Sequence, residues 1–353
     1  MANVRTFYAC QKVSFGAASG STSTPSSFDY ITLNGVQSVG ITTNFNLDPV
    51  YQLGRLQPGD LFEDIPDVEI SVTKQLDGTK TIYEQMMGNG TLAALSDKRS
   101  AVLLQIYSQE NNAATGTPLS KCEMEPAYLS SVTYNFPSDG AFTEEVSIVS
   151  NNKNWSTSST NTDPPDISLT GIARRQMFNV AGSTFPTGAV GAANAPFLSG
   201  SLPEDFRLQS VSVSVDLGRE EIFQLGERLP FTRYINFPVE VNSEFEFISA
   251  SGDKVGATET DASCANPKAL VDRTIVLKLC DGTILNLGTK NKLNSVSQSG
   301  GDAGGDNVTY TFSYINYSDL TYTGPGTAPD VTTTSFDDME QVDLDNYGRK
   351  KFS

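Results

Sequence analysis

The sequence predicts an all-β protein of two tandem, homologous β-sandwich or barrel-like domains, each with a short flanking helix and a long inter-strand loop. Three observations predict it: two-residue alternation of apolar and polar residues, a composition rich in turn and strand formers, and an internal repeat. The 353 residues include 29 Gly, 17 Pro, 13 Tyr and 19 Phe, a mixture suited to short strands and tight turns. That length is enough for two domains, each with its own core.

The repeat sets the boundaries. Val36–Gly54 matches Leu208–Gly226 at a constant spacing of 172 residues, which carries Gln37 onto Gln209, Gln52 onto Gln224 and Gly54 onto Gly226. The same spacing carries Pro58 onto Pro230 and Pro66 onto Pro238. Beyond the second proline the match is expected to slip by one residue, setting Val68 against Val239. Further on, Arg99–Val102 faces Arg273–Val276, Leu129–Val132 faces Leu293–Val296, and Glu145–Ser150 resembles Asn307–Ser313. Such self-similarity is read as a tandem duplication. The first repeat spans 1–155, a Ser/Thr/Asn/Pro-rich linker 156–169, the second repeat 170–325 and a C-terminal arm 326–353.

Within each repeat the elements follow from pattern. Gln209–Leu217 puts Val211, Val213, Val215 and Leu217 on one face, with Ser and Asp on the other. Val239–Phe247, Val68–Val72 and Val308–Phe312 alternate likewise, as strands wetted on one side do. Helical signal is confined to Thr79–Met87, where Ile82/Met86 and Tyr83/Met87 stand four apart and Gly88 supplies a stop. Gly16–Ser27 and Ala181–Gly200, rich in small residues, read as mobile loops.

A proline-edged connection follows Gln-Leu-Gly in each repeat, and long connections of this kind tend to be functional or to contact a partner. The residues singled out for contacts between subunits or rings are Gln52, Leu53, Gly54, Arg55, Asp60, Glu63 and Asp64 in one repeat. In the other they are Gln224, Leu225, Gly226, Glu227, Arg228 and Arg233.

Several chemistries are excluded. The chain contains no histidine, which removes Ser-His-Asp and Cys-His catalysis, His-ligated zinc and an imidazole pH switch. The adjacent acids Glu144-Glu145 and Glu220-Glu221 fall on strands, where neighbours point to opposite faces and form no shared site. Cys10, Cys122, Cys264 and Cys280 are widely spaced and are read as reduced, mostly buried thiols, with a Cys264–Cys280 bridge the alternative. Ser299–Asp306 is read as a hairpin loop rather than a calcium site, and Trp155 as a packing anchor. No catalytic, cofactor-binding or metal site is assigned, and the chain is expected not to be an enzyme. No apolar run is long enough to span a bilayer. The first twenty residues lack the apolar core of a secretion signal, so folding in a cytoplasm is expected.

The formal net charge of −17 opposes direct nucleic-acid binding, which needs clustered cations to displace counterions from phosphates. It suits a surface past which DNA must slide, and it equally serves solubility.

The block Gln209–Val215, Phe223–Gly226 and Pro238–Phe247, echoed by Tyr51–Gly54 and Pro66–Ile70, resembles tail tube proteins of tailed bacteriophages. The resemblance covers the strand-rich parts of both repeats, not the linker or the arm. It implies sheets joined into a closed ring around a DNA channel, with long loops reaching the adjacent ring. A duplicated chain would form a trimeric ring of pseudo-six-fold symmetry, stacked into a tube through which DNA is ejected. The implied location is the virion tail, assembled in the host bacterial cytoplasm. Implied partners are further copies of the chain together with tape measure, tail terminator and baseplate proteins; DNA passes without specific binding, and no membrane is involved. The alternatives are a neck, decoration or baseplate hub protein, and a glycan-binding tail-tip protein.

Overall fold

Alternation along the chain becomes alternation of burial along the strands. In the computed structural model the described residues are 6–19, 27–108, 114, 116–157, 172–179, 206–249, 252, 253, 255, 272–301 and 307–325. The first half contributes β1 (Gln11–Ser19), β2 (Ser27–Thr32), β3 (Val36–Asn44), β4 (Leu47–Val50), β5 (Asp60–Glu63), β6 (Asp67–Gln75), β7 (Gly90–Thr91), β8 (Ser100–Ile106), β9 (Ser120–Pro137), β10 (Thr143–Ser150) and β11 (Asn154–Ser156). The second contributes β12 (Phe178–Asn179), β13 (Phe206–Asp216), β14 (Arg219–Ile222), β15 (Thr232–Ile235), β16 (Glu240–Ser249), β17 (Val276–Leu279), β18 (Ile284–Asn286), β19 (Lys292–Ser299), β20 (Thr309–Tyr317) and β21 (Thr321–Thr323). The protein is all-β, and all its ladders are antiparallel among the described residues.

The main sheet runs β19-β20-β16-β13-β9-β10-β6-β3. It contains one strand order twice, first-second-fourth-third: β3-β6-β10-β9 in one half and β13-β16-β20-β19 in the other. The halves meet where β9 pairs with β13. An unbroken row of valines crosses both, Val39-Val72-Val146-Val132-Val215-Val241. β-branched side chains pack well on such a pleated, one-sided surface. The opposite face is polar, with Ser, Thr and Asn at the alternate positions.

Eighteen residues long, β9 is shared between two sets of strands of the same sheet. Its first part pairs with β8 and β11, and β8 carries β1 and β2; its second part pairs with β10 and β13. In the second half the corresponding work is divided between β18 and β19, and β18 belongs to a small sheet β12-β17-β18-β21-β7.

A single α-helix among the described residues, α1 (Ile82–Met87), lies where the spacing predicts it. Thr81 Oγ1 accepts from the Glu84 N–H at 3.1 Å, and Gly88 ends the helix at φ 84°, a conformation that favours glycine. Ile82, Tyr83, Met86 and Met87 are all buried in the shared core, each such side chain contributing roughly 1.5–3 kcal/mol. The helix expected in the second half lies outside the described residues, as do Cys264, most of the linker, the 181–200 loop and the C-terminal arm. Gly16–Ser19 and Ser27 are strand rather than loop, because β1 and β2 pair as far as Ser19 opposite Ser27.

Matching by sequence also misplaces two strands. With Thr43 set against Val215, the ladders put Val68 in the place of Val241, not Val239, and Val146 in the place of Phe312, not Val308. These shifts of two and four residues keep every side chain on its own face, so alternation alone does not register them.

Candidate assembly surfaces

Each proline-edged connection folds into a two-stranded ribbon. Leu47–Val50 pairs with Asp60–Glu63, and 172 residues on Arg219–Ile222 pairs with Thr232–Ile235. The turns repeat bond for bond. Arg55 N–H donates to Gln52 O at 3.1 Å and Gly59 N–H to Val50 O at 2.8 Å; their counterparts are Glu227 N–H to Gln224 O at 3.2 Å and Phe231 N–H to Ile222 O at 2.8 Å. Gly54 and Gly226 have φ of 88° and 93°, which explains the repeated glycine of Gln-Leu-Gly. The motif holds Leu53 and Leu225 at the ribbon tips, where both are fully exposed.

Of the residues singled out by sequence, Gln52, Leu53, Gly54, Arg55 and Gln224, Leu225, Gly226, Glu227, Arg228 form these exposed tips. Glu227 and Arg228, with Leu229, also face Ile65 and Pro66 across a groove of about 520 Å³. Asp60 and Asp64 each turn a carboxylate oxygen onto the next backbone N–H, of Leu61 and Ile65, at 2.9 and 2.8 Å. Glu63 is exposed at the end of β5. Arg233 is different. It is buried within the chain, where its guanidinium meets Glu221, reaches Asp67 at 3.6 Å and donates to Asn151 Oδ1 at 2.9 Å.

The ribbons differ in how they sit. The second is docked on the first half: Ile235 N–H donates to Ser96 O at 3.1 Å, and Arg99 Nη2 to Phe231 O at 2.5 Å. Arg219 is the clamp. Its Nε donates to Leu129 O at 2.6 Å, Nη1 to Ser96 O at 2.8 Å, and the guanidinium lies 5.7 Å from the Tyr128 ring centroid. Burial depresses its pKa to about 10, still far above neutrality, so the cation stays charged. In the first ribbon all eight strand residues are exposed, and Leu47 and Leu61 stand where the second carries Arg219 and Arg233.

The polar sheet face collects acids. Glu69, Glu145, Asp216, Glu244 and Glu246 alternate with the buried apolar positions. Among the described ladder residues of this face the cations are Arg207 and Lys292 at strand ends, and Lys292 is 2.7 Å from Asp272. Serine hydroxyls bond across the strands of this face, Ser210 donating to the Glu246 carboxylate at 2.9 Å and Ser212 to the Asn135 amide oxygen at 3.1 Å.

Glu144 and Glu145 do face opposite ways. Glu145 is exposed, whereas Glu144 is fully buried and accepts from the N–H groups of Ile82 and Tyr83 at 2.7 and 2.9 Å and from the Tyr134 hydroxyl at 3.1 Å. Burial raises its pKa while the two backbone donors oppose the rise. It anchors α1 rather than forming a reactive pair. Nothing in the sequence marks it except its place in phase with Val146 and Ile148 on the inward face.

Cys10 and Cys122 are buried free thiols, and Cys280 is free and exposed. Trp155 is half-exposed on β11 opposite Cys122. Among the described residues no cluster of acids and thiols has the arrangement of a metal site, and no helix is long and apolar enough to cross a membrane.

A scan against protein-family models finds no match to this chain, and a search of curated proteins finds none either.

Proposed function

We propose that the chain is a structural subunit of a bacteriophage-type tail tube. Three copies close into a ring of pseudo-six-fold symmetry, and rings stack around a channel for DNA. The observation that carries this reading is the sheet order. One four-stranded pattern occurs twice, and the sheet ends on two strands, β3 and β19, each with one neighbour among the described residues. These ends correspond to β13 and β9, the strands that already pair at the internal junction. A sheet that repeats its own junction has the heterologous surfaces from which rings are built, and closure removes the open edges.

In this arrangement the polar face lines the channel. Glu69, Glu145, Asp216, Glu244 and Glu246 then repel the phosphate backbone, so that DNA passes without being held. The Leu53 and Leu225 tips contact the neighbouring ring, burying apolar side chains that stand fully exposed in the single chain. The tandem duplication inferred from sequence accounts for both features.

Negative-stain microscopy of the purified protein tests the reading. Hollow tubes or stacked rings are expected. Single rings that never stack would favour a neck or hub protein, and monomers at all concentrations would overturn self-assembly.

A further inference from the structure

The internal junction specifies how two copies meet. Resting on the assembly reading above, we propose that β3 of one copy pairs antiparallel with β19 of the next in the register of β9 with β13. The first ribbon then seats on that neighbour through Leu47 and Leu61.

At the junction Val132 lies opposite Val215, Thr133 opposite Ser214 and Tyr134 opposite Val213. The ribbons match β3 to β13, Thr43 corresponding to Val215. The ladder rows Val72-Val146-Val132 and Phe245-Phe312-Val296 match β9 to β19, Val132 corresponding to Val296. Transposing the register sets Thr43 opposite Val296, Thr42 opposite Ser297 and Ile41 opposite Gln298. Face is conserved in the transfer. Thr43 and Val296 fall on the core side, as Val215 and Val132 do, while Thr42 and Ser297 fall on the polar side.

Among the described residues the edges are open to this pairing. β3 and β19 are nine and eight residues long, contain no proline, and between them carry one charged residue, Lys292, at an end. Natural edges that avoid pairing are shortened, charged, bulged or proline-blocked; these have little such protection beyond a bulge in each ladder close to one end.

The ribbons supply a second, independent observation. In the second ribbon Thr232, Arg233 and Ile235 are buried against the first half of the same chain, whereas their counterparts Asp60, Leu61 and Glu63 are exposed. The first ribbon therefore has the shape of the second without its seat. The exchange of two arginines for Leu47 and Leu61 makes the ribbon's own side of the contact between copies apolar, where the second ribbon brings two cations to its seat. An apolar contact forms without desolvating a cation and holds at high salt.

Disulfide trapping tests the register. In a background with Cys264→Ser and Cys280→Ser, Thr42→Cys combined with Ser297→Cys places two thiols on directly opposed strand positions, within disulfide reach. Thr42→Cys with Ser295→Cys is the control displaced by two residues. The expected result is oxidation of the first pair to covalent multimers and at least tenfold less of the second. Rings or tubes by microscopy with preferential cross-linking of the displaced pair, or of neither, would overturn the register and leave the assembly reading standing. A disulfide closing within one chain would show the edge covered by the chain's own segments and overturn the proposal. A protein that is monomeric throughout would refute both. Leu61→Arg, at a position exposed in the single chain, is expected to raise the concentration needed for assembly at least tenfold with an unchanged far-UV spectrum. Assembly at the original concentration would overturn the apolar seat.

Discussion

Replacing Arg219 by alanine removes the clamp between the second ribbon and the first half. Two donors to backbone carbonyls are lost, at 2.6 and 2.8 Å, each charge-assisted bond being worth about 1.5–3 kcal/mol. The contact with Tyr128 adds about 0.5–2 kcal/mol. Against these stands the cost of burying a guanidinium, visible in its depressed pKa, which cancels part of the gain. The net expectation for Arg219→Ala is a loss of roughly 3 kcal/mol, with Arg219→Lys intermediate because an ammonium keeps the charge but not the planar fork. Urea unfolding of the unassembled chain, followed by tyrosine fluorescence and far-UV circular dichroism, reads it directly. A loss below about 1 kcal/mol for the alanine variant at an unchanged slope would refute the claim that this residue locks the halves together.

Three further outcomes are expected. Glu144→Ala leaves the Ile82 and Tyr83 N–H groups and the Tyr134 hydroxyl without their acceptor, and is expected to cost about 3–5 kcal/mol in the same assay; a change under 1 kcal/mol would remove its anchoring role. Leu53→Asp with Leu225→Asp alters two side chains exposed in the single chain, so stability should stay within about 0.5 kcal/mol while sedimentation shows rings that no longer stack. Alkaline titration should be cooperative. Burial pushes Tyr83 up to about 12 and raises Tyr134, Tyr314 and Tyr322 as well. Above pH 10 the unfolded chain releases protons that the folded chain retains, so stability is fully present below pH 10 and falls as pH climbs through the folded values. Tyrosinate absorbance at 295 nm should therefore rise together with loss of near-UV dichroism, and ionisation of these residues near pH 10 in a folded chain would contradict it.

Much of the fold was legible because its signals are local. The alternation in Gln209–Leu217 and Val68–Val72 is a property of single strands, and the stop of α1 is written in Gly88, whereas its Thr81 cap is seen only in the structure. The repeated connections were visible as a constant spacing of 172 because both turns need glycine at the same step and therefore tolerate no slippage, but they read as long loops and only the structure shows them as paired ribbons. What was not legible depends on partners distant in sequence. The pairing of β9 with β13, the sharing of β9 between two sets of strands, and the burial of Arg219, Arg233 and Glu144 are set by which strands become neighbours. Arg233 reads as one more surface charge until Glu221, Asp67 and Asn151 are seen around it. The acids of the polar face were countable from sequence, but which of them share a face follows only from the ladders.

The mass of a single isolated ring, weighed under native conditions, decides whether the two halves of the chain occupy adjacent places in a closed cylinder. Three chains per closed ring is the expected result. A lone chain, or an open polymer that never closes, would contradict it, and six chains would remove the correspondence between the two halves and adjacent places in the ring.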